Sequence, residues 1–537
     1  MSNNNSQPLD RQNDRTQPQD SHRSLIKSTS ILSVGTLTSR IFGFLRDVVL
    51  AKMLGTGLRA DAFFVALRIP NLFRDLVGEG ATNSAVVPIF AEYKIHKSKE
   101  EFWHFANVVL ALALIILSAI TILGIIFAPI IVRIVVPGFM ADPQKLEMTI
   151  KLTRLMFPYL IFIGLTAYSM GILYTFRSFL VPAFTPCLLN ISIIAAALLA
   201  SRGMEEPVFG IAVGVLVGGV LQLAFQIPPM GKIGMRFNWP RSFRHEGAKR
   251  IGRLLIPRML GSGVYQLTVL IDTFCASIAS VVGSGGISAI YYANRIINFP
   301  MGLFSVAMAS AALPALSGMA SKNDTQSMRR TISFALENIF FIMCPTTVIL
   351  IILSGPIIRV LFERGEFAAY STHITSSALA FYSLGLFAFG SIKIMVAAFH
   401  ALQDTKTPVK VAALCLAINA VLNFILMFPL KVGGIALASA IAGTVDFLIL
   451  FTILNKRLEG LSKGLKLFFA KVLAASLLIG LVELIAWKAV TFIPETFKLF
   501  IIGGLGFVLY WGICLGLKIT QAHKIWEWMR GKLPEEK

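Results

Sequence analysis

Charge is what this sequence has least of. Only 14% of its 537 residues are Asp, Glu, Lys or Arg, where a soluble globular chain carries about 25%. With a mean hydropathy of +0.73, that scarcity excludes a soluble globular domain. Signatures of bond-making chemistry are missing too. There is no G-x-x-x-x-G-K-[ST] loop for ATP, no H-E-x-x-H and no C-x-x-C. The seven histidines lie mostly in loops or at span ends and form no triad, so neither an enzyme nor a bound organic cofactor is expected. The five cysteines, Cys187, Cys275, Cys344, Cys415 and Cys514, show neither disulfide nor metal spacing and read as small core residues. The apolar runs do not alternate with polar residues, which excludes a membrane β-barrel.

What is present is a series of apolar runs of about 20 residues, each enough to cross a hydrocarbon core of about 30 Å. Fourteen spans are predicted, from 26–52 and 59–91 through to 466–490 and 498–518. The fold class is therefore an all-α polytopic membrane protein. Residues 1–24 are polar and expected to be disordered, and no secretory signal is expected ahead of the first span. The net charge of +21 gathers in alternate loops, above all in 231–249, as an orientation signal and not as a nucleic-acid footprint. By the positive-inside rule both termini are cytoplasmic.

A weak internal repeat divides the chain. Arg46-Asp47 falls opposite Asp272 at a shift of 225, RIPN (68–71) opposite RIIN (295–298) at 227, and GIAVGVLVGG (210–219) opposite GIALASAIAG (434–443) at 224. Six helices per unit insert both copies the same way up, giving two lobes related by an axis along the membrane normal with a cavity between them. The expected organisation is a tail at 1–24, a first lobe at 25–230, a basic loop at 231–249 and a second lobe at 250–456. Two further helices and a basic tail fill 457–537.

Against this apolar background the charges of 40–93 stand out. A single Arg at the centre of a membrane helix costs roughly 2.5–3.5 kcal/mol on insertion scales. Here Arg40, Arg46, Arg68 and Arg74 stand close together with Asp61, Asp75 and Glu79. Such clustering suits a hydrated cationic cavity that holds an anion, and guanidinium suits phosphate because its fork donates two parallel bonds. Arg40 and Arg46 stand about 120° apart on a helical wheel and can border one wide cavity. Asp61, Arg68 and Asp75, seven apart, form one stripe and suggest internal pairing. Arg295, inside YYANRIINFP, has no acid within four residues and reads as unpaired. The plainer alternative for all of these is salt bridging between helices or snorkelling at span ends. GEGA (78–81) marks a broken helix in which Glu79 is a cap or a gating partner. A second group, Asp272, Asn419, Asn423 and Thr444, offers oxygens suited to Na⁺ or a proton. Interhelical hydrogen bonding is the alternative reading there.

SRIFGFLRD (39–47), ADAFFVALRIPNLFRDLVGEGA (60–81), VPIFAEY (87–93), YYANRIINFP (291–300) and LFERGEF (361–367) together resemble the MurJ/MviN family. These are bacterial lipid II flippases of the multidrug/oligosaccharidyl-lipid/polysaccharide exporter superfamily. The resemblance spans nearly all of 25–520. It implies two six-helix lobes plus two C-terminal helices forming a lipid-facing groove. It also implies an inner-membrane location and lipid II as the cargo flipped during peptidoglycan synthesis, with membrane lipids and cell-wall synthesis proteins as partners. Arg40, Arg46, Arg74 and Arg295 match the family's cavity arginines, and Asp61 and Glu79 its essential or gating acids. Many members carry an acid where this chain has Asn294 and Asn298, so the resemblance supplies Arg295 with no acid from its own helix. Related readings are a flippase for another polyprenyl-linked glycan, or a cation-coupled drug exporter of the same superfamily.

Overall fold

The computed structural model describes residues 18–77, 86–200, 203–461 and 464–530. The first lobe holds α1 (Pro18–Leu54), α2 (Leu58–Val77), α3 (Val87–His96), α4 (Lys99–Val135), α5 (Pro143–Met156), α6 (Tyr159–Thr175), α7 (Leu180–Ala200) and α8 (Pro207–Lys232). The second holds α9 (Glu246–Ala276), α10 (Gly286–Pro300), α11 (Val306–Ser321), α12 (Thr325–Ile352), α13 (Ser354–Phe362), α14 (Ala369–Ser383), α15 (Leu386–Ala401), α16 (Lys406–Leu430) and α17 (Val432–Arg457). Then come α18 (Leu465–Ala489), α19 (Glu495–Gly516) and the short α20 (Thr520–Met529).

Ten helices or continuous helix pairs among the described residues are long and apolar enough to cross a membrane, and α14 with α15, bent by 47°, makes an eleventh. The other three predicted spans fall on α1, on α2 with α3, and on α9, whose charges lower their hydropathy. A count of fourteen is compatible with this. One correction concerns the N-terminus. The tract expected to be disordered gives way to helix at Pro18, because 18–24 continue the register of α1; residues 1–17 lie outside the described residues.

Small residues set the helix spacing within each lobe. Gly210, Gly214 and Gly218 recur every four residues on α8, and a Cβ on them would strike Ala200, Ala196 and Leu189 of α7. That is the small-xxx-small seam by which helices approach closely in lipid. The repeat places Gly434 of α17 equally close to the backbone of Leu426 on α16. The C-terminal pair packs on the second lobe, where Tyr510 Oη donates to the Phe341 carbonyl at 2.7 Å and Arg359 pairs with Glu495 at 2.8 Å.

One end of the cleft between the lobes is shut by hydrogen bonds across it. The amide of Glu366, in the loop after α13, donates to the Lys52 carbonyl of α1 at 2.9 Å. Thr56 Oγ1 donates to Ser371 Oγ at 2.7 Å, and the Gly138 amide to Ser277 Oγ at 3.1 Å. Gly55 and Gly365 both hold a positive φ, +59° and +61°, where L side chains are strained. Each also faces a carbonyl across the lobes, Glu366 and Lys52 respectively, within 2.3 Å of any added Cβ. Gly365→Ala is therefore expected to hold this end ajar. In a cysteine-free background, Thr56→Cys with Ser371→Cys should be bridged readily by a short thiol cross-linker, and adding Gly365→Ala should lower the yield several-fold. An unchanged yield would show that the glycine contact does not govern closure.

Candidate functional site

Between the lobes lies a fully buried carboxylate. Asp47 on α1 has no exposed surface, and a lone ion there would cost several kcal/mol. Its Oδ1 accepts from Arg46 Nε at 3.0 Å and Nη2 at 2.7 Å, and from Tyr291 Oη of α10 at 3.0 Å. Its Oδ2 is bound by Arg295 Nε, also of α10. Arg46, only 8% exposed, further donates to Asn190 of α7 at 3.0 Å and to Tyr291 Oη at 2.9 Å. Phe64 of α2 stacks on Tyr291 with ring centroids 3.9 Å apart. Two arginines from opposite lobes thus share one aspartate.

Arg295 is not unpaired, as its own helix suggested; its counter-ion comes from the other lobe, beyond the reach of a local scan. The Arg295 side chain stays 37% exposed, so part of its fork remains available to a ligand. Arg40, one to two turns before Arg46, is exposed and lies against Gly302 in the π-turn Met301–Ser305. Arg74 is half-buried in the last turn of α2. Glu79 and GEGA lie outside the described residues.

The stripe of Asp61, Arg68 and Asp75 is also corrected. Seven residues are about 10.5 Å along a helix, too far for direct pairing, and each described member finds a partner elsewhere. Asp61 pairs with Lys145 of α5 at 2.7 Å. It also accepts from the amide and hydroxyl of Ser288, at the start of α10, at 2.9 and 2.7 Å. Arg68 Nη1 donates to Thr273 Oγ1 of α9 at 2.6 Å. The Asp75 side chain lies outside the described residues.

The oxygen-rich group assembles in the second lobe. Asn423 Nδ2 donates to Asp272 Oδ1 at 2.8 Å and to Asn419 Oδ1 at 3.1 Å. Ser439 Oγ donates to Asp272 Oδ2 at 3.0 Å and accepts from Asn419 Nδ2 at 3.1 Å. Asn423 Oδ1 is buried without a partner. Thr444 instead bonds its own helix at the Ala440 carbonyl, at 2.8 Å, and takes no part in the ring.

Sequence reasoning missed Asp47, Tyr291, Asn190, Lys145 and Ser439 as site residues. It also missed Lys393, an exposed cation on α15, the helix that packs against the π-turn carrying Gly302. Asp47 alone had a usable signal, an acid in a membrane span standing opposite Asp272 in the repeat.

Removing one member of the Asp47 cluster leaves the others buried and unbalanced, at a cost of about 3–5 kcal/mol for a fully desolvated pair. Asp47→Asn and Arg295→Gln are each expected to destabilise the purified protein, and the double variant less than the sum of both. The cycle should return a coupling of about 1–3 kcal/mol in thermal unfolding. Strict additivity would show that the pair is not formed in solution.

The family model described as lipid II flippase MurJ matches residues 50–503. The lipid II flippase MurJ of Burkholderia cenocepacia is 36% identical over 476 residues, covering 87% of this chain and 91% of that protein. A solved structure of a lipid II flippase MurJ in an inward closed conformation superposes with a TM-score of 0.77 at 29% identity, over 92% of this chain and 98% of that one. An inward-facing multidrug resistance MATE transporter shares the fold alone, at a TM-score of 0.63 and 17% identity over 82% of this chain and 99% of that one. The chain belongs to the MurJ family, whose matching model is that of the lipid II flippase.

Proposed function

We propose that this chain flips lipid II, the undecaprenyl-diphosphate-linked disaccharide-pentapeptide, from the cytoplasmic to the periplasmic leaflet of the bacterial inner membrane. The observation that carries the reading is the Asp47 carboxylate held by one arginine from each lobe. Arg40, Arg46 and Arg295 against Asp47 leave this region a net charge of +2, which a diphosphate matches. The diphosphate takes the place of Asp47 on the arginine forks, and the tie between α1 and α10 is lost. Asp47 is thus a built-in competitor for the cargo, and binding is converted into separation of the lobes at their closed end. Arg74 keeps its expected role as a further phosphate ligand, and Glu79, outside the described residues, its expected role as a gating acid.

Orientation follows from charge. The basic loops, including 231–249, place both termini in the cytoplasm, so the end closed by Gly55 and Gly365 is periplasmic and the cavity loads from inside. The sugars and peptide travel in the hydrated cleft, while the polyprenyl tail stays in lipid or along α18 and α19. Nothing in this cycle requires a covalent step.

Energy can come from the membrane potential. A charge crossing the full potential is worth about 2.3 kcal/mol per 100 mV, and an inside-negative membrane favours export of anions. Two uncompensated phosphate charges gain about 4–5 kcal/mol per 100 mV. The Asp272 ring offers a second source. One carboxylate, two amide oxygens and a hydroxyl, with Asn423 Oδ1 unpartnered, fit a monovalent hard cation such as Na⁺, or a proton on Asp272. Bound there, the ion would be held by Asp272, Asn419, Asn423 and Ser439.

In a host depleted of this protein, lipid II should become inaccessible to a periplasmic enzyme that cleaves it. Wild type should restore access, whereas Arg40→Ala, Arg74→Ala and Arg295→Ala at equal expression should not. Persistence of accessible lipid II in a depleted host with no other flippase would refute the cargo. Full depolarisation should slow flipping; an undiminished rate removes the role of the potential. Asp272→Asn should abolish any dependence on Na⁺ or pH, and a retained dependence would exclude the ring as the coupling site.

A further inference from the structure

A second cationic site lies apart from the Asp47 cluster, where the turn between α3 and α4 meets the segment joining the lobes. A cavity of about 290 Å³ is lined there by Lys94, Lys97, Lys99, Trp103, Phe176 and Ile233. Its floor is aromatic: Trp103 and Phe176 stack at 8° with centroids 5.9 Å apart. Lys94 Nζ stands 4.2 Å over the Phe176 ring and donates to the Thr175 carbonyl at 3.2 Å. Lys97 and Lys99 are exposed. Two acids of this corner are engaged elsewhere. Glu92 is held by Arg250 at 2.8 Å and Glu101 by His245 at 3.2 Å, while Glu100 turns back onto Ser98. Glu100 offsets part of the charge of Lys99, and the three lysines leave the cavity an excess of positive charge.

The depth of the cavity says what balances it. From Val108 to Val132, α4 has no charged residue, so Asn107 marks the hydrocarbon boundary. Asn107 is 5% exposed; it donates to the Arg236 carbonyl at 3.1 Å and accepts from the Asn238 amide at 3.2 Å. That clamp fixes the interlobe segment at the boundary. Out of it project Phe237 and Trp239, more than half exposed, and Phe243, 39% exposed, packed edge to face. The exposed Arg236, Arg241 and Arg244 lie among them. Aromatic side chains between arginines are poorly placed in water and well placed at the headgroup level of an anionic leaflet.

We propose that this corner binds the headgroup of an anionic glycerophospholipid. The phosphate sits on Lys97 and Lys99, the glycerol backbone over Trp103 and Phe176, and the acyl chains run down beside α4, with Phe237, Trp239 and Phe243 in the same leaflet. The source is the surrounding membrane and not free phosphate, because the aromatic floor and the boundary position serve acyl chains. The site is distinct from the cargo's and stands whether or not the cargo is lipid II.

Native mass spectrometry of the full chain, released from detergent with added phosphatidylglycerol or phosphatidylethanolamine, tests this. Wild type is expected to retain phosphatidylglycerol in preference. Lys97→Gln with Lys99→Gln should weaken that retention about thirty-fold, the product of about 1 kcal/mol for each of two cations near an anionic surface. Lys488→Gln with Lys518→Gln, remote from the cavity, should not change it, and soluble glycerol 3-phosphate should not displace the lipid. Equal retention of both lipids, or retention unaffected by the Lys97 and Lys99 changes, would overturn the site. Displacement by glycerol 3-phosphate would overturn the lipid as its ligand. Since the readout is lipid retention and not flipping, a negative result here leaves the transport reading standing.

Discussion

A buried carboxylate that no single helix neutralises fully is the constraint on which the rest of this structure depends. Asp47 draws on Arg46 from its own helix and on Tyr291 and Arg295 from the other lobe. Withdrawing the second lobe leaves an ion whose desolvation costs several kcal/mol unless water or another cation replaces what is lost. Closure therefore has an electrostatic reason as well as a packing one. On the proposed reading the same geometry makes closure sensitive to anions, since a phosphate can bond the same guanidinium groups bidentately. Around that tie the Asp61 to Ser288 contact and the two left-handed glycines complete the closed end.

The repeat gives the tie a counterpart. Asp47 corresponds to Asp272 and Arg68 to Arg295, so the first helix of each lobe offers an aspartate and the second helix of the opposite lobe an arginine. On one side the contact is direct, Asp47 to Arg295. On the other, Arg68 reaches Thr273, the residue after Asp272, while Asp272 is held by Asn423 and Ser439. One copy of the motif serves as an interlobe ion pair and the other is a carboxylate held by neutral amide and hydroxyl donors. A symmetric pair of ion pairs would lock both sides alike. On the proposed reading, the divergence lets one side respond to an anion and the other to a cation.

Much of this was legible in the sequence. Apolar runs and their charge asymmetry yield an all-helical membrane protein, and the nearly constant shift of 222–227 between matching segments yields two lobes the same way up. The arginines could be named as candidates because charge is costly in hydrocarbon wherever it occurs. Partnership could not be read. Arg295 and Asp47 are far apart in the chain, and no periodicity joins them. The Asp61, Arg68, Asp75 stripe was misleading because helical phase places residues on one face without saying which helix that face meets. Ser439 displaced Thr444 from the oxygen ring for a similar reason: composition supplies hydroxyls, and only packing chooses among them.

The most direct test of Asp47 as an internal competitor is the affinity of a water-soluble, short-chain lipid II analogue for Asp47→Asn and for wild type, measured with the arginines intact. Competition requires the variant to bind the diphosphate more tightly than wild type while failing to flip lipid II. Weaker binding by Asp47→Asn would contradict it and make Asp47 a residue that holds the arginines in place for the cargo.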